Sequence, residues 1–265
     1  MYTLITGAAG GLGRAFAAEC ASRGYDLLLT DMNAAGLETV RRGLLRQYTV
    51  CVHTKTCDIT RDADVGALME YAREFNIHPT MLLNVAGIDH EGGFTQRGFE
   101  QISDILRVNI EATLRITHQT LALRQKERVF HVVFVSSLAS LYPMPLKATY
   151  AASKRFLLDF SYALGQELKA DHVKVLSLCP GGLSTTQDAL NGIAAQGFWG
   201  SLTTNRLECV VHRTIDRVQH GRHIYIPGVL NRIFSIFGRF LPSEWITRIV
   251  FSRWREAQKH WLAIQ

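Results

Sequence analysis

The sequence predicts a doubly wound α/β fold, a parallel sheet of seven strands with helices on both faces. Two observations carry this. Short apolar, β-branched runs alternate along the chain with longer segments of helical periodicity. The runs are continuously apolar, as strands covered on both faces are. In order, YTLIT (2–6) opens a glycine-rich turn and a helix over 12–25, and DLLLTD (26–31) leads to a helix over 34–47. VCVHTKTCD (50–58) precedes a helix over 61–76, and MLLNVAG (81–87) one over 100–126. VFHVVFVSS (129–137) precedes a helix over 150–170, KVLSLCP (174–180) one over 206–220, and HIYIPG (223–228) is the seventh strand. Pro and Gly punctuate strand ends without marking a domain boundary, and there is no internal repeat or low-complexity linker. The expected organisation is one domain over 1–228 and a basic amphipathic extension over 229–265, packed on or beside it.

Composition narrows the function classes. At 265 residues and 47% hydrophobic the chain buries a substantial core, which argues against disorder. Five cysteines at scattered spacings form no CxxC pair and no zinc-ligand cluster, and no HExxH pattern occurs among ten histidines, so no metal is expected. Reduced thiols, and a start that goes straight into a strand without a signal-peptide pattern, suggest a cytoplasmic protein. Net charge is +6, of which 227–265 supplies +4: six Arg or Lys against Glu244 and Glu256. The rest is 23 basic against 21 acidic residues, which does not suggest a nucleic-acid face.

TGAAGGLGRA follows the first strand and opens the first helix. Glycines at 7, 11 and 13 leave room for a phosphate to approach backbone N–H groups at a helix N-terminus. Asp31 ends the second strand. A carboxylate there accepts hydrogen bonds from the adenosine ribose hydroxyls and repels a 2′-phosphate, which predicts NAD over NADP. Asp31 reads equally as a helix N-cap, and the two roles are compatible. In YAASK (150–154), Tyr150 and Lys154 share a helix face, and a nearby cation favours ionisation of a phenol whose ordinary pKa is about 10.

TGAAGGLG (6–13), CDIT (57–60), NVAG (84–87), Asn109, Ser137, YAASK and PGGLST (180–185) stand in the order and approximate spacing of the short-chain dehydrogenase/reductase family, which the chain resembles over about residues 2–228. The resemblance implies a Rossmann-type sheet and a nicotinamide-dependent oxidoreductase interconverting a secondary alcohol and a ketone. It casts Tyr150 as the acid that protonates the carbonyl oxygen during hydride delivery, and as the base in reverse. Lys154 would lower the phenol pKa and bind the nicotinamide ribose, Ser137 rather than Ser136 would hold the substrate oxygen, and Asn109 would hold a water for a relay to the lysine. Gly7, Gly11, Leu12, Gly13 and Asp31 would bind the cofactor with Asp58 and Ile59 at the adenine. Asn84, Ala86 and Gly87 would run beside the adenosine ribose, and Pro180, Gly181 and Thr185 would meet the nicotinamide carboxamide. NVAG stands where NNAG is commoner in the family.

The substrate is expected to be hydrophobic, steroid-like or acyl-chain. Leu190, Ile193, Phe198, Trp199 and Leu202 in the segment 185–205, with Leu138, Leu141, Tyr142, Met144 and Leu146, supply apolar cover. The extension interleaves Ile233, Phe234, Ile236, Phe237, Phe240, Trp245, Ile249, Val250, Phe251 and Trp254 with arginines, and Pro242 divides it into two helices with Ser243 as a cap. Three readings stay open for it: a helix on a membrane surface, an oligomer interface of a homodimer or tetramer, or a cover over the substrate cleft. A second function class, a dinucleotide-binding regulator or membrane-associated interaction protein, would need no set such as Asn109, Ser137, Tyr150 and Lys154.

Overall fold

The structure is a computed structural model that describes residues 1–183, 205–237 and 242–262. Seven parallel strands make one sheet: β1 (Tyr2–Thr6), β2 (Asp26–Asp31), β3 (Val52–Thr56), β4 (Pro79–Asn84), β5 (Phe130–Val135), β6 (Val173–Leu178) and β7 (Ile224–Tyr225). Their spatial order is β3-β2-β1-β4-β5-β6-β7. Successive side chains of a strand point to opposite faces, so each strand feeds two cores. Ile5, Leu27, Leu29, Met81, Leu83, Val133 and Val135 face one layer. Leu4, Leu28, Leu82, Val132 and Phe134 face the other.

The first layer is closed by α1 (Gly11–Ser22), α2 (Ala34–Gln47) and, further along, α7 (Leu207–Gln219). The helix α2 presents Leu37, Val40 and Leu44 at helical spacing. Across the sheet lie α3 (Asp62–Glu74), α5 (Thr113–Leu123) and α6 (Ala148–Glu167). The expected helix over 100–126 is α4 (Phe99–Leu106) joined to α5 by a π-helical segment, Arg107–Ala112, which contains Asn109. The chain order reverses between β1 and β4, and a doubly wound sheet opens its ligand crevice at the carboxyl ends of the strands flanking such a reversal.

Two helices, α8 (Val229–Phe237) and α9 (Ser243–Leu262), make up the extension. Asn231 and Ser235 of α8 are buried, and Asn231 Nδ2 donates to Pro227 O at 2.8 Å. The second helix differs from expectation in its cap. Trp245 N donates to Pro242 O at 3.0 Å, which places Ser243 inside the first turn. Val229, Ile233, Trp245, Ile249 and Phe251 are exposed, and among the described residues no helix is long and apolar enough to cross a membrane.

Candidate active site

The glycine-rich turn is built by close approach. Gly7 has φ +65°, and a Cβ there would stand 2.9 Å from the Ala86 backbone; a Cβ on Gly13 would stand 2.1 Å from Gly7 O. Only glycine lets β1, the loop after β4 and α1 converge here. Thr6 stitches the same place: its Oγ1 accepts from Val85 N at 3.1 Å and Ala86 N at 3.2 Å. No side chain caps the first turn of α1, where Gly11, Leu12 and Gly13 stand, so its N–H groups are presented to an anion. Asp31 is not the cap of α2; Asn33 is, accepting from Gly36 N at 2.9 Å. Asp31 instead braces the turn, its Oδ2 accepting from Ala9 N and its Oδ1 from Asn33 N, both at 3.0 Å. It lies at the same sheet edge as the glycines, as a ribose-binding carboxylate must.

Other expected cofactor positions divide by where their side chains go. Asp58, after the carboxyl end of β3, accepts at Oδ1 from Thr60 N and Thr60 Oγ1, and Ile59 packs into the core. Asn84 is buried and donates to Thr117 Oγ1 at 3.0 Å, supporting the strand end. Ala86 and Gly87 border the crevice, and a Cβ on Gly87 would meet Lys154 Nζ at 3.0 Å and Asn109 Oδ1 at 3.1 Å. Pro180 O accepts from Leu138 N at 2.8 Å, which places Pro180 and Gly181 beside the loop after β5. Thr185 and the apolar residues of 190–202 lie outside the described residues. The glycine cradle, the uncapped helix start and Asp31 together fit a nicotinamide dinucleotide.

The four expected catalytic residues converge. The serine pair at the end of β5 divides its work: Ser136 Oγ donates to Lys154 O at 2.7 Å, while the Ser137 hydroxyl hydrogen-bonds the Tyr150 phenol. Lys154 is buried on α6, its Nζ 5.7 Å from the Tyr150 ring centroid and donating to Val135 O at 2.9 Å. Burial pulls its ammonium down to about 8, against a smaller upward pull from Asp89. Asn109, fully buried, clamps the loop after β4 by accepting from Ile88 N at 2.8 Å and donating to Ile88 O at 2.9 Å. The same amide donates to Ser153 Oγ at 3.1 Å, and Ser153 donates to Tyr150 O at 2.7 Å. The π-segment is what aims Asn109 inward.

The Tyr150 phenol is held above its ordinary value, first by burial and then by the Asp89 carboxylate, against lowering by its Ser137 hydrogen bond and by Lys147. Lys147 thus lowers the phenol from a second side, its Nζ at the same 5.7 Å from the ring centroid as that of Lys154. Sequence reading also passed over Thr6, Ser153, Asp89, Glu91 and Lys147. Ser153 carried a signal inside YAASK; the others meet only through the fold. Burial keeps Cys20 and Cys57 protonated, their thiols pushed up to about 12 and about 11.

A family model described as short chain dehydrogenase matches residues 2–192. The chain belongs to the short-chain dehydrogenase family. Very-long-chain 3-oxoacyl-CoA reductase of Laccaria bicolor is 31% identical to this family member over 177 residues, covering 66% of this chain and 52% of the relative. The chain spans about half the length of the curated relatives it matches. Among solved structures, a short-chain dehydrogenase from Sphingobium yanoikuyae in complex with NADPH matches with a TM-score of 0.73 at 25% identity, over 90% of this chain and 92% of that one. The 3-ketoacyl-(acyl-carrier-protein) reductase from Brucella melitensis complexed with NADH matches at 0.73 and 23% identity, over 86% and 97%.

Proposed function

We propose that this short-chain dehydrogenase reduces the carbonyl of a hydrophobic 3-oxoacyl thioester with NADH, and oxidises the alcohol in reverse. The observation that carries the reading is the convergence of Ser137, Tyr150 and Lys154 at the crevice, with Asn109 behind them. A bound dinucleotide supplies the hydride. Ser137 holds the carbonyl oxygen, Tyr150 gives it a proton at the phenol oxygen, and Lys154, close to half neutral near pH 8, is able to pass a proton on. A phenol held above its ordinary value is protonated at neutral pH, as an acid must be. The acyl-thioester class is supported by the names of the curated relatives. Leu141, Met144 and Leu146 lie between Ser137 and Tyr150 in the chain, and each is partly exposed.

Preference for NADH over NADPH is argued from Asp31, whose charge opposes a 2′-phosphate. The test is cofactor oxidation with NADH and NADPH in parallel, by the full chain, against 3-oxoacyl thioesters of increasing length, ketosteroids, simple ketones and sugars. Turnover is expected with NADH and the longer thioesters. Equal turnover of sugars would remove the hydrophobic-substrate reading, and a preference for NADPH would remove the role given to Asp31.

A further inference from the structure

A second charged group stands over the catalytic tyrosine. Lys147 is the residue before α6, and its Nζ lies 5.7 Å from the Tyr150 ring centroid, the same distance as that of Lys154. Lys147 is largely buried, its side chain 12% exposed. It is held from the loop after β4, donating to Asp89 Oδ2 at 2.7 Å and pairing with Glu91 Oε1. The backbones of the two loops are joined as well, Gly92 N donating to Leu146 O at 2.9 Å. Leu146 itself sits at φ +67°, a left-handed conformation that is unfavourable for a residue with a side chain and persists only where its surroundings hold it. The loop after β4 and the segment before α6 are thus fastened by a backbone hydrogen bond and by the ion pairs of Lys147 with two partly exposed carboxylates, beside Tyr150.

We propose that Asp89, Glu91 and Lys147 form an electrostatic clasp that positions the Lys147 ammonium over Tyr150 and sets how readily that phenol parts with its proton. The idea rests on Tyr150 being the acid–base group. An ammonium near a phenol favours the phenolate, and carboxylates at similar range disfavour it. The cluster carries one positive and two negative charges, so its sum opposes ionisation. The upward pull of Asp89 on Tyr150, larger than the downward pull of Lys147, agrees with this sum. The groups around the phenol are Ser137 from the segment after β5, Lys147 and Lys154 at and in α6, and Asp89 and Glu91 from the loop after β4, which also carries His90. Cys179 from the end of β6 acts on Lys154. Asp89 alone acts on Lys147, Tyr150 and Lys154 together. It is a positioning residue: by opposing ionisation it moves to higher pH the point at which the phenolate, the form that acts as base in alcohol oxidation, appears.

The test is titration of Tyr150 by NMR of full-length protein labelled at tyrosine Cζ, with its resonance identified by its loss in Tyr150→Phe. Asp89→Asn removes a negative charge and leaves Lys147 paired with Glu91, so the midpoint should fall by about one pH unit. Glu91→Gln should lower it less, because Glu91 is 40% exposed, and Lys147→Met should raise it. The order Asp89→Asn, Glu91→Gln, wild type, Lys147→Met is the expected result. Movement of Asp89→Asn and Lys147→Met in the same direction, or of neither, in proteins that melt as wild type does, would overturn the clasp. Should Asp89→Asn fail to fold, the opposed shifts of Glu91→Gln and Lys147→Met decide. The same order is expected in the pH profile of kcat/KM for alcohol oxidation. Titration in this order without turnover on any carbonyl substrate would uphold the clasp and remove the proposed reaction.

Discussion

Lys154 shows what burying one charged residue costs the fold. Its ammonium is moved from an ordinary value of 10.5 to about 8 because the fold buries it with a carbonyl, Val135 O, as hydrogen-bond partner. A lysine whose folded pKa is depressed binds fewer protons folded than unfolded between pH 8 and 10.5, so stability rises with pH through that window. Below it the cost is about 3 kcal/mol, less what the hydrogen bond returns. Lys154→Met should therefore abolish turnover yet stabilise the fold at pH 7 by about 1–2 kcal/mol in urea unfolding. The gain should shrink towards pH 10. A variant equally destabilised at pH 7 and pH 10 would contradict this. Tyr150, Lys154, Ser137 and Asn109 were legible in the sequence because their spacings form a pattern. Asp89 and Lys147 were not, since an ion pair across 58 positions has no local period.

At the scale of elements, the central strands were legible because they are apolar on two faces, while the edge strands, such as β3 with its polar VHTKT, and the strand ends were less so. The seventh run, 223–228, retains two paired residues, Ile224 and Tyr225, at the sheet edge. Helical periodicity over 100–126 could not show the π-segment at 107–112, from which Asn109 reaches Ile88 and Ser153. The glycine-rich turn was legible, and the structure separates its glycines from others. A methyl on Gly13 has no room, whereas one on Gly43, inside α2, meets nothing within 4 Å. Gly13→Ala should destabilise by about 1–3 kcal/mol and weaken NADH binding. Gly43→Ala should stabilise by about 0.5–1 kcal/mol and leave binding unchanged. Thermal melts and cofactor titration measure both; the reverse order of melting temperatures would contradict the account of the turn.

Across the whole molecule, one arrangement places the glycine turn, Asp31 and the four residues around Tyr150. Reversal of strand order between β1 and β4 opens the crevice at their carboxyl ends; glycines and Asp31 occupy the β1–β2 side, and Asn109, Ser137, Tyr150 and Lys154 the β4–β5 side. The architecture followed from the sequence because parallel, doubly covered strands leave few alternatives. The partners of α8 and α9 did not, since an apolar face with arginines suits several surfaces equally. The central claim is that Tyr150 donates the proton in a dinucleotide-dependent carbonyl reduction. Its most direct test is the single-turnover rate of NADH oxidation with a long-chain 3-oxoacyl thioester, in wild type and Tyr150→Phe, with NADH affinity measured alongside. The account predicts a rate at least about 100-fold lower in the variant, as loss of a positioned acid requires, with NADH still bound. A variant that binds NADH and turns over within a few-fold of wild type would contradict it.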